Sequence, residues 1–120
     1  VPFPNTIETL KETAHIGKNF LYTHRGKSAF CYLKKYGIYD CFTDFITSED
    51  GFPPKPAPDA VEYFLKKHIL KKDETVMIGD REIDVLSGKN AGTYGCLFTK
   101  EKKETAADFV IDDIKKILDI

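Results

Sequence analysis

The sequence is short of the features that would direct it to a membrane, a nucleic acid or a disulfide framework. Basic and acidic residues nearly cancel, 18 Lys and Arg against 19 Asp and Glu for a net charge of −1, so no bulk attraction to nucleic acid or to an anionic membrane is implied. Apolar runs are far shorter than the roughly 20 residues that span a bilayer. The opening Val-Pro-Phe-Pro has neither a basic stretch nor an apolar one of the kind that targets export. Cysteine is sparse: Cys31, Cys41 and Cys96 are widely spaced and form no C-x-x-C pair, which gives no support to a zinc or redox motif. Each lies among apolar or aromatic neighbours, so all three are expected to be reduced core thiols of a cytoplasmic protein. His15, His24 and His68 carry no sequence feature that pairs them with a thiol as a catalytic base. There is no internal repeat, low-complexity tract or interdomain linker. What is present is 120 residues, 42% hydrophobic and 12% aromatic, enough for one domain with a real core.

The stretch from Thr75 to Gly95, TVMIGDREIDVLSGKNAGTYG, organises the rest. A short β-branched apolar run, Thr75 to Ile78, ends abruptly at Gly79 and Asp80, which predicts a buried strand delivering a carboxylate to its tip. From Glu82, the residues Ile83, Val85, Leu86 and Ala91 fit a helix that stops at Gly92. Open parallel sheets place ligands beyond the carboxyl ends of their strands. Asp80 therefore lies where a site is expected, with Asp84 one helical turn further on. Two carboxylates at that spacing suit Mg²⁺, which takes one or two protein carboxylates while phosphate supplies further oxygens. The same spacing also fits a plainer arrangement, with Asp80 capping the helix and Asp84 on its solvated face.

The remaining elements alternate. A helix is predicted from Asn5 or Thr6 to about His15, with Ile7, Leu10 and Ala14 on one face and Gly17 ending it. A short strand follows over Asn19 to Thr23, then a tight His24-Arg25-Gly26 loop and a helix from about Lys27 to Tyr36, closed by Gly37. Phe42 to Thr47 is a third strand, and Ser48 to Pro58 is a loop rich in Gly and Pro. Asp59 is set to cap the next helix, with Val61, Phe64, Leu65 and His68 toward the buried side. Beyond the central stretch, Tyr94 to Phe98 is a further strand, Lys100 to Thr105 a charge run expected to be a solvated loop rather than an anion site, Ala107 to Ile111 a last short strand, and Asp112 or Asp113 the cap of a closing helix with Ile114, Ile117 and Leu118. Strand and helix in alternation predict an α/β fold, a parallel sheet covered on both faces with right-handed crossovers.

On a parallel sheet, three strand ends point to one region, with Thr23, the loop bearing Lys55, and Asp80 with Asp84. A hydroxyl, an ammonium and a carboxylate pair can together hold phosphate and Mg²⁺. Lysine suits the task as a compact charge with rotatable donors, and Pro54, Pro56 and Pro58 restrict the backbone around it. The alternatives are a surface lysine, a strand-end hydroxyl and a solvated Arg25.

The ordered set LYTHRG at 21–26, KPAPD at 55–59 and GDREIDVLSGKNAG at 79–92 resembles the haloacid dehalogenase (HAD) superfamily, in particular its phosphoglycolate phosphatase-like branch, over most of the chain from about Pro4 to Phe98. That resemblance implies a three-layer Rossmann-like core across 1–120 and a phosphate monoester hydrolase. It implies that Thr23 binds the transferring phosphoryl group, that Lys55 stabilises charge on the phosphate and the nucleophile, and that Asp80 and Asp84 hold Mg²⁺ directly or through water. His24 and Arg25 follow Thr23, where contacts to substrate are expected.

One family motif has no counterpart here. Such phosphatases carry D-x-D-G-T at the end of a first strand, where one aspartate attacks phosphorus and the second acts as acid and base. Asp40 and Asp44 are too far apart and precede or enter a strand, so they are poor substitutes. The residues are accordingly expected to be the second half of a HAD core, a fragment without first strand or cap whose parent is the phosphatase and which alone lacks the nucleophile. The expected partner is a small phosphorylated metabolite, with no nucleic acid and no membrane, and loss of the central strand exposes a sheet edge that invites self-association. The competing expectation is a non-catalytic module that keeps the phosphate and Mg²⁺ pocket for binding or oligomerisation. A receiver-type domain shares the sheet and metal carboxylates, but needs an acidic pair after the first strand and a phosphoacceptor aspartate after the third, and neither occurs in that order.

Overall fold

The structure, a computed structural model, describes residues 5–26 and 28–119. The extended start expected at Pro2 and Pro4, and a helix start at Lys27, lie outside those residues. The chain divides into two compact units, one formed by the residues up to Gly51 together with those from Asp113 onward, the other by Phe52–Asp112.

In the first unit, helix α1 (Thr6–Ile16) leads to strand β1 (Phe20–Tyr22), helix α2 (Ser28–Lys35) and strand β2 (Asp44–Ile46). β1 and β2 pair in parallel, Phe20 opposite Asp44 and Tyr22 opposite Ile46. The expected α1 start is right, but Asn5 makes no side-chain cap. Its amide instead donates to the Asp113 carboxylate at 3.0 and 3.2 Å, which ties the start of α1 to the closing segment. Thr9 is the buried residue of α1, while Ile7 and Leu10 are half-buried and Ala14 is exposed. Asn19 fastens α1 to β1 by donating to the carbonyls of Leu10 and Cys41.

Ala29 and Leu33, four residues apart on α2, face inward. Cys31 falls on the opposite side and is exposed, which corrects its expectation as a core thiol. Phe30, Tyr39, Phe42 and Phe45 form one aromatic cluster, with ring centroids 5.0 to 5.9 Å apart, a spacing at which aromatic pairs attract beyond their burial. The closing Ile114–Asp119 segment is a 3-10 helix, not the expected α-helix. Asp113 does cap it, accepting from the Lys115 N–H at 3.0 Å.

The second unit contains helix α3 (Asp59–Lys67), strand β3 (Val76–Gly79), helix α4 (Glu82–Ala91) and strands β4 (Tyr94–Phe98) and β5 (Phe109–Ile111). The strands form a parallel sheet in the order β3-β4-β5. Asp59 does not cap α3: Pro58 occupies that position with near-helical φ and ψ of −83° and −5°, leaving Asp59 as the first helical residue. Ala60, Val61, Phe64 and Leu65 are buried and His68 is half-buried at the helix end. β3 is half-buried rather than buried, because it lies at the edge of its sheet with β4 on one side.

α4 lies unusually close to the sheet. Its buried residues are Asp84, Val85, Ser87, Gly88 and Ala91: Val85 and Ala91 face inward as expected, Ile83 and Leu86 are only half-buried, and Ser87 and Gly88 complete a small-residue face. A Cβ at Gly88 would collide with the Cβ of Met77 and come within 2.9 Å of Thr93 Oγ1. No helix of the described residues is long and apolar enough to cross a membrane.

Candidate functional site at the carboxyl end of the β3–β4 sheet

β3 runs out at Gly79, Asp80 and Arg81 follow as a turn, and α4 begins at Glu82. Arg81, extended at φ −125° and ψ 152°, occupies the N-cap position. Asp84 reaches back, its Oδ2 accepting from the Arg81 N–H at 3.2 Å. The turn thus satisfies one of the unpaired donors at a helix start with a carboxylate, which the helix dipole also favours.

Asp84 is only 4% exposed. A side chain at Gly79 would occupy the space of the Asp84 carboxylate, so Gly79 is where the strand must be bare for Asp84 to fold inward. This excludes the plainer arrangement, in which Asp84 lies on a solvated helix face. Asp80 is exposed at the strand tip.

Lys55 comes to the same place. Its ammonium lies 2.6 Å from Asp84 Oδ1, with side-chain exposures of 7% and 6%. Oδ1 receives no aligned hydrogen bond, so this contact is an ion pair in a nearly dry setting, where charge interactions are far stronger than at a surface. The Lys55–Pro56 peptide is cis, and the loop is tied to α4 by the Asn90 side chain, which donates to the Pro56 carbonyl at 3.1 Å. Sequence pattern gave no hint of Asn90, since a single amide on a helix carries no spacing signal.

Thr23, His24 and Arg25 belong to the first unit. The Thr23 N–H donates to the Ile46 carbonyl at 3.0 Å, continuing the β1–β2 ladder. Its hydroxyl accepts from the Arg25 N–H at 3.1 Å, which shapes the turn. His24 lies beside Tyr22, ring centroids 6.0 Å apart. The Arg25 guanidinium is 5.8 Å from the centre of the Tyr32 ring, within cation–π range.

The donor set fits Mg²⁺. Among the described residues no group of three or more His, Cys, Asp or Glu is arranged as a metal cage, but Mg²⁺ keeps several waters and needs only one or two carboxylates plus substrate phosphate. Asp84 offers a buried oxygen without a hydrogen bond, already in a position that stabilises positive charge, and Asp80 lies at the adjoining strand tip.

The parallel strands and the close helix, with the charged Lys55–Asp84 pair at the tip of β3, define a Rossmann-like α/β protein. A sequence model of haloacid dehalogenase-like hydrolases matches residues 1–97, and the chain belongs to that family. It is 34% identical to a phosphoglycolate phosphatase of Vibrio vulnificus, covering 98% of this chain and 55% of that protein. It is 32% identical to a glyceraldehyde 3-phosphate phosphatase of Methanocaldococcus jannaschii, covering 99% and 56%. The fold matches the crystal structure of the HAD hydrolase YfnB of Bacillus subtilis bound to magnesium, with a TM-score of 0.87 at 19% identity, over 98% of this chain and 55% of that one. The chain thus spans about half the length of the curated relatives it matches.

Proposed function

We propose that these residues form the phosphate- and Mg²⁺-handling half of a HAD phosphatase core acting on a small phosphorylated metabolite. The observation that carries this reading is the buried Lys55–Asp84 pair at the tip of β3, which joins two separate motifs in one charged site. Asp80 and Asp84 would hold Mg²⁺, which supplies charge neutralisation at the phosphoryl oxygens. The Lys55 ammonium, desolvated and held by its loop, would neutralise phosphoryl oxygens as negative charge develops. The Thr23 hydroxyl would donate to a phosphoryl oxygen, and His24 and Arg25 would contact the substrate beyond it. The attacking aspartate is expected in a segment outside these residues, which makes turnover a property of the longer chain. Two phosphatases among the relatives support the reaction class, and the place of β3 as the terminal strand of its three-stranded sheet is consistent with self-association through that strand, which would be seen as concentration-dependent sedimentation.

The test is hydrolysis of para-nitrophenyl phosphate by the full natural chain, with and without Mg²⁺, beside Asp80→Asn. Mg²⁺-dependent turnover that falls at least 100-fold in the variant, an expected loss on the order of 3 kcal/mol in barrier terms, supports the assignment. Normal turnover in the variant refutes it.

A further inference from the structure

The connection from β4 to β5 has ten residues and no helix, whereas parallel strands are usually joined by a dozen or more with a helix. A strap along α4 takes the place of that helix. At its lower end Asp108 and Gly95 bond to each other, Asp108 N–H to the Gly95 carbonyl at 2.8 Å and Gly95 N–H to the Asp108 carboxylate at 2.9 Å. Lys89 of α4 pairs with the same carboxylate at 3.0 Å. Two turns earlier on α4, Glu82 holds the upper end: its Oε1 accepts from Thr105 Oγ1 at 2.8 Å and from the Ala106 N–H at 3.0 Å. Thr105 in turn accepts from the Ala107 N–H at 3.1 Å. The seven-residue spacing of Glu82 and Lys89 puts both anchors on one helix face.

This clamp fixes where the strap's tip stands. Leu97 is opposite Gly79 in the sheet, so Thr99, two residues on, leaves β4 level with the Asp80 turn. The other foot, Thr105, is bonded to Glu82, two residues past Asp80. Residues 100–104 therefore project from the end of the sheet that carries Asp80 and Asp84. They are Lys-Glu-Lys-Lys-Glu, all exposed. Lys100, Lys102 and Lys103 have no ion-pair partner among the described residues, and three lysines against two glutamates leave the tip with a charge of +1.

We infer that the 100–104 tip is a substrate-selecting element, that its lysines attract a second anionic group on the leaving group of the phosphate ester, and that Glu82 is the positioning residue that holds it there. This deepens the phosphatase reading and rests on it. Ammonium groups on a solvated tip act over about 8 Å at physiological ionic strength, and each is worth little alone. The selection is therefore moderate and sensitive to salt.

The experiment compares two esters with the full natural chain: 2-phosphoglycolate, which carries a carboxylate beyond its phosphate, and para-nitrophenyl phosphate, which carries no second anion. Substituting Lys100, Lys102 and Lys103 together by Ala is expected to lower the ratio of kcat/KM for the first ester over the second about fivefold, mainly through KM. That gap should close as NaCl is raised to 1 M. Glu82→Ala should reproduce the drop, and Glu82→Gln should restore the ratio, because the amide oxygen accepts the same two hydrogen bonds. A general loss of stability would lower both esters alike and would not vary with salt. An unchanged ratio in the lysine variant, with para-nitrophenyl phosphate still hydrolysed, overturns the tip assignment alone. Absence of Mg²⁺-dependent hydrolysis of either ester by the unsubstituted chain overturns the phosphatase reading and the tip assignment with it.

Discussion

Replacing Lys55 by Met removes the charge and keeps most of the side-chain volume, which isolates the electrostatic part of the Lys55–Asp84 contact. Both side chains are more than nine-tenths buried and 2.6 Å apart. Two magnitudes compete. An ordinary hydrogen bond contributes about 1 kcal/mol net, whereas breaking a buried pair by removing one partner costs about 3–5 kcal/mol, because a desolvated charge is left uncompensated. Asp84 Oδ1 has no other hydrogen bond to fall back on, and Gly79 leaves the carboxylate no free room on the strand side. The larger figure should therefore apply, with a drop in melting temperature on the order of 10–20 °C for a domain of this size. Urea unfolding monitored by circular dichroism reads it directly. The double variant Lys55→Met with Asp84→Asn should recover most of the loss, since the orphaned charge is gone. Added Mg²⁺ should stabilise Lys55→Met more than the unsubstituted chain, by mass action on the native state. A loss below 1 kcal/mol, or a double variant no more stable than the single one, refutes the view that a buried charge is being neutralised.

Other outcomes follow from the same packing. Gly88→Ala should cost about 1–3 kcal/mol by overpacking, as its new methyl meets the Met77 side chain, with the loss read from the urea midpoint. Cys96 is fully buried and burial pushes its thiol up to about 11 from 9.0, so the folded state holds its proton where the unfolded chain has lost it. Stability from this group is complete below about pH 9 and declines toward pH 11, by up to about 1.4 kcal/mol per pH unit. At pH 8, a maleimide should label exposed Cys31 quickly and Cys96 only on unfolding. Asp108 is held below the usual carboxylate range by the Gly95 N–H and then by Lys89. Its contribution to stability is present above the ordinary aspartate pKa and is lost as acid protonates the folded carboxylate. Asp108→Asn should remove that part of the acid dependence in a pH series of urea midpoints.

The elements were readable from sequence wherever local signals agreed. The β4 bounds Tyr94–Phe98 matched, α4 ended at Gly92 in the left-handed conformation at φ 91°, and Gly37 closed α2 at φ 69°, all positions at which side-chain chemistry and backbone preference coincide. Periodicity found Val85 and Ala91 on the buried face of α4 but missed Ser87 and Gly88, because serine and glycine score as polar or weakly apolar although their small size is what lets the helix approach the sheet. Cys31 and Asp59 were misplaced for a related reason: neighbours in sequence did not reveal which side of a helix faced the core, or that Pro58 would take the cap position. Within the candidate site, Lys55 and Asp84 could be named from motif spacing, and the structure brings them together. The supports behind them could not be named. Asn90 and Glu82 act through partners 34 and 23 residues away, and no local pattern encodes such a pairing.

The most direct measurement is the Mg²⁺ concentration that half-activates hydrolysis of para-nitrophenyl phosphate by the full natural chain, with and without Asp84→Asn. If Asp84 helps to hold the metal, that concentration rises at least tenfold in the variant, about 1.4 kcal/mol of lost metal affinity. An unchanged Mg²⁺ requirement would contradict the assignment of this end of the sheet as the metal and phosphate site.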